Sequence, residues 1–170
     1  MKNGLVHLYW GDGKGKTTAA CGLALRALGS GLSVVIVQFL KSGKSSELAP
    51  LRTLGAVVLA EKPSEKFVSQ MDDSEKAQTR AMQTALLQKA LTLPCDMLIL
   101  DEACAAWETD MVDRNLLRCA ISERPADREV ILTGRTPAEW MHTAADYSTE
   151  MCCCRHPYAQ GVPARKGVEF

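Results

Sequence analysis

The sequence has no excess of either charge and no long apolar run. Twenty Lys and Arg residues balance twenty Asp and Glu residues, whereas proteins that bind the nucleic-acid backbone usually carry a basic excess. No stretch stays apolar for the roughly 20 residues that cross a bilayer, and no signal-peptide pattern is present. These absences argue against a nucleic-acid or membrane partner, and we expect a cytoplasmic protein.

Metal-binding cysteine pairs are also missing, because the sequence contains no C-x-x-C motif. The seven cysteines are odd in number and lack the spacing of a disulfide framework, which indicates reduced thiols. Neighbours on an extended strand point to opposite faces, so the run CCC at 152–154 does not converge on one ion. We expect Cys152, Cys153 and Cys154 to be small buried hydrophobic residues.

Apolar segments alternate with helical patterns along the whole chain. Predicted strands are GLVHLYW, LSVVIVQFL, GAVVLAE, DMLIL, EVILTG and STEMCCC. Predicted helices are KTTAACGLALRALGSG, a helix from Asp72 to about Leu93, one from about Val112 to Ser122, and a short one after Pro137. This alternation predicts one three-layer α/β domain over residues 1–170, with a mostly parallel sheet. Loops 41–48 and 61–73 are expected on its surface, at the ligand-binding end.

A glycine-rich stretch, YWGDGKGKTTAA, follows the first predicted strand. Gly15, Lys16 and Thr17 match the end of the phosphate-loop pattern G-x-x-x-x-G-K-[ST], but its first glycine slot holds Trp10. The strand–turn–helix context still suits an anion-binding nest of backbone N–H groups at a helix N-terminus. Lys16 can then reach phosphate oxygens, and the Thr17 hydroxyl can ligate Mg²⁺. The fold class is therefore P-loop NTPase-like (RecA-like).

The glycines of this stretch alternate with polar residues. Gly11, Gly13 and Gly15 let the backbone bend and aim its N–H groups inward. We expect Asp12 to point outward, since a carboxylate repels a triphosphate, whereas Lys14 either contacts phosphate or is a solvated charge.

Two acids end the predicted strand DMLIL. In phosphate-loop proteins an acid at this point lies beside the loop threonine and helps to hold Mg²⁺, which is the interpretation we favour for Asp101 and Glu102. The alternative is a plain cap for the next helix. Together the two motifs predict a nucleoside triphosphate with Mg²⁺, but they do not identify the reaction.

Further segments carry a family resemblance. VVIVQFLK, DMLILDE, EVILTGR, AADYSTEM and the terminal HPYAQGVPARKGVEF occur in this order. The series, from about Leu5 to Phe170, resembles the P-loop type of cob(I)alamin adenosyltransferase. The family's loop usually reads TGNGKGKTT, so its first slot is not glycine either.

The resemblance implies a reaction and a set of substrates. ATP binds reversed in the loop relative to ordinary NTPases, the Co(I) of a reduced corrinoid attacks the ribose 5′-carbon, and triphosphate leaves. Cob(I)alamin or a precursor is then the second substrate, a reductase or flavoprotein supplies Co(I), and the enzyme works as a homodimer.

The resemblance also implies roles for individual residues. Lys16, Thr17 and Glu102 correspond to the catalytic positions, and Thr17 and Glu102 hold Mg²⁺ with Asp101 behind them. Arg135 either grips phosphate or forms a surface ion pair. The ATP-binding positions are Gly11, Asp12, Gly13, Lys14, Gly15, Lys16, Thr17, Thr18 and Arg135.

One family feature is altered. Relatives carry GFTW before the long helix, where aromatic residues pack against the corrin, whereas this chain has EKFVS with Phe67 as the remaining aromatic. We expect Phe67 to contact the corrinoid. Two other functions stay open: a kinase or ATPase acting on the γ-phosphate, and a non-catalytic, nucleotide-gated corrinoid carrier.

Overall fold

The computed structural model describes residues 3–64 and 66–169, and Met1, Lys2, Glu65 and Phe170 lie outside the described residues. Its strands are β1 (Val6–Trp10), β2 (Val34–Gln38), β3 (Val57–Leu59), β4 (Met97–Asp101), β5 (Glu129–Gly134) and β6 (Tyr147–Glu150). They form one six-stranded sheet in the order β3-β2-β4-β5-β1-β6. Every neighbouring pair is parallel. The predicted α/β class is confirmed, and the sheet is parallel throughout.

The helices cover both faces of this sheet. They are α1 (Lys16–Gly29), α2 (Leu48–Thr53), α3 (Asp73–Thr92), α4 (Ala103–Glu108), α5 (Arg114–Ser122) and α6 (Glu139–Ala144), with short 3₁₀ turns at Val68–Gln70 and Pro157–Gln160. Four of the six helices match the predictions. The two unpredicted ones, α2 and α4, have six residues each, which is too short to show a helical period in the sequence.

The bounds of α3 follow from its end signals. The Asp72 carboxylate accepts a hydrogen bond from the Glu75 N–H at 2.8 Å, and the Glu75 carboxylate accepts one from the Asp72 N–H at 3.0 Å. This reciprocal capping box satisfies two N–H groups at the start of the helix. At the other end α3 stops at Thr92, shortly before Pro94.

Two apolar clusters lie on opposite sides of the sheet. In the central strands neighbouring residues alternate between the clusters: Leu98 and Leu100 pack toward one, Met97 and Ile99 toward the other. The first cluster is completed by α3, α4, α5 and α6, and the second by α1 and α2. Because both faces are covered, the central strands are apolar without interruption, as buried parallel strands are.

The last strand and the residues after it show that the prediction for the CCC run was wrong. β6 pairs only with β1, at the edge of the sheet, and its four residues are exposed. The strand ends at Glu150, so the CCC run is not part of it, and Cys152, Cys153 and Cys154 are all exposed. Our prediction of buried hydrophobic residues was wrong because the run lies beyond the end of the strand, in an exposed stretch of the chain. Among the described residues, no helix has the length and apolarity needed to cross a membrane.

Candidate active site

The phosphate loop connects the carboxyl end of β1 to the start of α1. Gly11 and Gly15 have φ of 109° and 120°, in the region that favours glycine. A Cβ on Gly11 would lie 2.5 Å from the carbonyl oxygen of Met151, and a Cβ on Gly13 would lie 2.6 Å from the same atom. The glycines therefore serve both the turn and the close approach of a second segment.

The N-terminus of α1 is open toward this loop. Gly15 precedes the helix without a side-chain cap, and the first turn holds no acidic residue. The N–H groups of the first turn have no partner within the helix, and they form the positive end of its dipole. This end of α1 is therefore suited to bind an anion.

A cavity of about 290 Å³ opens at this helix end. Three cationic side chains, Lys14, Lys16 and Arg135, are part of its wall. Of the predicted ATP-binding residues only Gly11 does not line the cavity; its N–H donates to the Arg135 carbonyl at 3.1 Å and fixes the loop from behind. The complete wall consists of Asp12, Gly13, Lys14, Gly15, Lys16, Thr17, Thr18, Glu102, Arg135, His156 and Glu169.

Lys16 points back over its own loop. Its Nζ donates to the carbonyl oxygen of Gly13 at 2.6 Å. Burial lowers the pKa of this ammonium, while the charge of Glu102 acts in the opposite direction. An anion in the cavity would therefore meet a partly desolvated cation, which strengthens the electrostatic attraction.

Asp101 lies beneath the loop, with 1% of its surface exposed. Oδ1 accepts from the hydroxyls of Thr17 at 2.8 Å and Thr133 at 2.7 Å. Oδ2 accepts from Lys41 Nζ at 2.6 Å and Gln38 Nε2 at 3.2 Å. These four bonds use the capacity of the carboxylate, so Asp101 orients the Thr17 hydroxyl and has no lone pair left for a metal.

Glu102, by contrast, lines the cavity. Its backbone is left-handed, with φ 59° and ψ 25°, and its N–H donates to the Thr133 hydroxyl at 2.9 Å. Burial raises the pKa of its carboxyl, and the charge of Lys41 opposes that rise. Glu102 occupies the N-cap position of α4 without a side-chain cap bond, and the Asp101 carboxylate bonds to side chains. The alternative interpretation of these acids as simple helix caps is therefore wrong.

Lys41 belongs to this cluster, and our sequence analysis placed it in a surface loop. Its Nζ lies 2.6 Å from Asp101 Oδ2, 3.1 Å from Thr17 Oγ1 and 3.8 Å from Glu102 Oε1. Burial alone would lower the pKa of Lys41, but the charge and hydrogen bond of Asp101 hold it above the usual value. The available signal was the lysine in QFLK, directly after a buried strand that ends at the same edge as β4.

The chain after β6 lies across the phosphate loop, and we call residues 151–169 the C-terminal tail. The Met151 carbonyl accepts from the Gly13 N–H at 2.6 Å, and the Asp12 carboxylate accepts from the Cys153 N–H at 2.8 Å. Asp12 is exposed and forms part of the cavity wall, and its carboxylate binds the tail to the loop.

Two tail residues, His156 and Glu169, reach the cavity wall. The Nδ1 atom of His156 accepts a hydrogen bond from the Tyr158 N–H at 3.2 Å. Glu169 pairs with Arg165 at 3.0 Å, and hydrogen bonds from Arg165 lower the Glu169 pKa to about 2. The tail therefore brings one imidazole and one carboxylate to the cavity, and the sequence patterns gave no sign of the carboxylate.

The residues at the cavity fit a magnesium ion. The Thr17 hydroxyl and the Glu102 carboxylate are hard oxygen donors, which Mg²⁺ prefers. Within residues 3–64 and 66–169 there is no group of three or more His, Cys, Asp or Glu side chains that could hold a metal alone. Mg²⁺ typically takes one or two protein ligands and completes its coordination with phosphates and water, so Thr17 and Glu102 would suffice as its protein ligands beside a triphosphate.

Phe67 lies apart from this cavity. It precedes the 3₁₀ turn in the loop that follows β3, the strand at the opposite edge of the sheet from β1 and β6. Its side chain is 75% exposed, and Lys62 Nζ lies 5.9 Å from its ring centroid. The structure does not bring Phe67 together with the phosphate loop, and its corrinoid contact stays a prediction.

Comparison with known proteins gives matches along the entire chain. The family model described as ATP:corrinoid adenosyltransferase BtuR/CobO/CobP matches residues 2–170. A corrinoid adenosyltransferase of Pseudomonas aeruginosa is 33% identical over 172 residues, covering 99% of this chain and 85% of the relative. One from Sinorhizobium sp is 33% identical over 176 residues, covering 99% and 81%. One from Escherichia coli K12 is 30% identical over 170 residues, covering 99% and 87%.

Proposed function

The chain belongs to the ATP:corrinoid adenosyltransferase family, and we propose that it transfers the adenosyl group at the cavity formed by the phosphate loop, Glu102 and Arg135. The observation that carries this assignment is the uncapped N-terminus of α1, free of acidic residues, beside Lys14, Lys16 and Arg135. This arrangement receives a polyanion, and ATP is the polyanionic substrate of the reaction.

The main requirement of the reaction is to stabilise the triphosphate that leaves. The Co(I) centre of the reduced corrinoid supplies the electron pair of the new Co–C bond. The bond between C5′ and its oxygen breaks, and its electrons go to the triphosphate, so no proton has to be moved in this step. What the protein has to do is stabilise negative charge on the departing triphosphate, which preorganised donors do efficiently in a partly desolvated site.

Each part of the cavity has a role in that task. The N–H groups of the loop and of the first turn of α1 donate to phosphate oxygens, and Lys16 and Arg135 add positive charge. When bound, Mg²⁺ supplies further positive charge to the phosphates, and Thr17 and Glu102 are the residues that would hold it. Asp101 fixes the Thr17 hydroxyl through its 2.8 Å hydrogen bond.

The corrinoid has to bind outside this cavity. At about 290 Å³, the cavity lies at the lower limit of small-molecule sites, which run from about 300 to 1,000 Å³, and a phosphate chain suits it better than a tetrapyrrole. Phe67 is our candidate for a corrinoid contact, since it is an exposed aromatic residue after a strand of the same parallel sheet.

The proposal also covers the domain organisation, the reducing partner, the oligomeric state and the location of the enzyme. We expect residues 1–170 to act as one domain, because all six strands share one sheet. The reaction needs a reductase or flavoprotein that delivers Co(I), and we expect a homodimer working in the cytoplasm.

Product analysis tests the proposal. The protein is mixed with ATP, Mg²⁺ and chemically reduced cob(I)alamin, the visible spectrum reports the Co–C bond, and chromatography reports the phosphate product. We expect adenosylcobalamin with triphosphate, whereas ADP with phosphate would identify a γ-phosphate enzyme and no turnover would indicate a carrier.

A substitution in the cavity wall provides a second test of the proposed function. Lys16→Ala should reduce turnover on the order of 100-fold, the cost of removing one preorganised charge-stabilising donor, with the fold intact by circular dichroism. Lys89→Ala removes a lysine from the exposed last turn of α3 and serves as the control. Near-full activity of Lys16→Ala would show that the triphosphate binds elsewhere.

A further inference from the structure

Lys41 contacts every group that we assign to the metal site. We propose that Lys41 is a tethered cation that holds these groups in position and excludes free divalent cations until ATP arrives. This inference rests on the proposed function, since it concerns the triphosphate site of the same reaction. It makes Lys41 a positioning residue, because it acts through Thr17, Asp101 and Glu102.

The distances place the ammonium where a cation shared by these oxygens would be. Nζ is 2.6 Å from Asp101 Oδ2, 3.1 Å from Thr17 Oγ1 and 3.8 Å from Glu102 Oε1. The Thr17 hydroxyl donates its hydrogen to Asp101 and accepts from Lys41. A hydroxyl oxygen has two lone pairs, so one of the two positions available to a metal on Thr17 is already used by Lys41.

The charges of the cluster disfavour a free divalent cation at this site. The Lys41 ammonium offsets part of the negative charge of Asp101 and Glu102, and Lys14, Lys16 and Arg135 add further positive charge to the cavity. A free divalent cation at Thr17 and Glu102 would meet the Lys41 ammonium at short range, and like charges repel strongly in a partly buried site. A triphosphate adds several negative charges, which reverses the balance and makes room for the metal.

The backbone on both sides of the cluster is held in an uncommon conformation. Leu40, directly before Lys41, has φ 57°, and Glu102, directly after Asp101, has φ 59°. Non-glycine residues disfavour this region, and such residues cluster at functional sites. The Leu40 N–H is bound by Gln83 Oε1 at 3.2 Å, and the Phe39 N–H by the Asp101 carbonyl at 3.0 Å. Lys41 is therefore directed into the site by its own backbone and by β4.

The test measures binding of Mn²⁺ alone, because Mn²⁺ has a paramagnetic signal and substitutes for Mg²⁺ on oxygen ligands. Nucleotide-free wild-type protein, Lys41→Met and Lys89→Met are titrated with Mn²⁺, and the free ion is followed by electron paramagnetic resonance. We expect Lys41→Met to bind one Mn²⁺ at least tenfold more tightly than wild type. Lys89→Met, which removes the same charge from an exposed position on α3, should behave as wild type.

Two further variants test whether the effect depends on the charge of Lys41 and on Asp101. Lys41→Arg keeps the charge and should bind Mn²⁺ as weakly as wild type, and Lys41→Met/Asp101→Asn should lose the gain in affinity. If Lys41→Met does not fold, Lys41→Gln, which also lacks the charge, takes its place and should show the same gain in Mn²⁺ affinity. Equal Mn²⁺ affinity of wild type and the folded neutral variant would overturn the inference.

Failure of the inference and failure of the proposed function are distinguishable. If wild type forms adenosylcobalamin but Lys41→Met does not gain Mn²⁺ affinity, only the role of Lys41 is wrong. If wild type forms no Co–C bond, the proposed function is wrong whatever Mn²⁺ does.

Discussion

Two buried cysteines differ chemically from the three exposed ones after β6. Burial raises the pKa of Cys21 and of Cys104 to about 12, so both remain thiols at neutral pH, and the thiolate is the reactive form. Iodoacetamide at pH 8 should therefore alkylate the exposed Cys153 and Cys154 in the native protein, and Cys152 more slowly because the charge of Glu150 raises its pKa, whereas Cys21 and Cys104 should react only after unfolding. Mass spectrometry of the peptides checks this, and equal labelling of Cys104 and Cys153 in the native protein would contradict the fold.

The structure brings together those predicted site residues whose signal is local in sequence. Lys16 and Thr17 follow from one short motif, and Glu102 follows from an acid after a buried strand; all three line the cavity. Lys41 was missed because its acidic partners, Asp101 and Glu102, lie some 60 positions along the chain, and only the adjacency of β2 and β4 brings them together. The cysteine run was misjudged because the apolar pattern did not show that the strand ends at Glu150, before the run begins.

At the scale of elements, the phosphate loop and the C-terminal tail form one unit. Gly11→Ala should displace both, since its Cβ would lie 2.5 Å from the Met151 carbonyl and its φ is 109°. We expect a loss of about 1–3 kcal/mol in the free energy of unfolding, as for other overpacked sites, together with weaker ATP binding. Thermal unfolding and ATP titration provide the measurements.

Gly22→Ala is the matched control for that variant. Gly22 lies inside α1, and an added Cβ there meets no heavy atom within 4 Å. Alanine is favoured over glycine in a helix interior by roughly 0.5–1 kcal/mol, so Gly22→Ala should stabilise the protein and leave ATP affinity unchanged. If Gly11→Ala were equally harmless, the contact between loop and tail would not matter for the site.

Helices with a regular spacing of apolar residues or with clear signals at their ends were predictable, and short helices were not. α3 was predicted closely because apolar residues recur at helical spacing along it and Pro94 follows its end, and the structure adds a capping box at Asp72. The six-residue helices α2 and α4 have no such pattern, so only tertiary packing defines them. The sheet order, which places β4 between β2 and β5, is equally a tertiary result, and it decides which side chains meet at the cavity.

Across the whole molecule, stability is expected to be uneven. The central strands β2, β4 and β5 are buried between two apolar clusters, whereas residues 152–169 of the tail are exposed throughout. Amide hydrogen exchange should therefore be fast in the tail and slowest in these strands. Because His156 and Glu169 line the cavity, ATP with Mg²⁺ should slow exchange in the tail. Unchanged tail exchange with bound nucleotide would show that the tail takes no part in the site.

The contact between the tail and the phosphate loop can form only late in synthesis of the chain. The Asp12 carboxylate and the Cys153 N–H that bind the two segments together are 141 positions apart in the sequence. A ribosome thus exposes the phosphate loop long before it has made the segment that lies across it. Until then a growing chain carries an incomplete nucleotide site, and ATP can assist folding as a ligand only after the tail has been made.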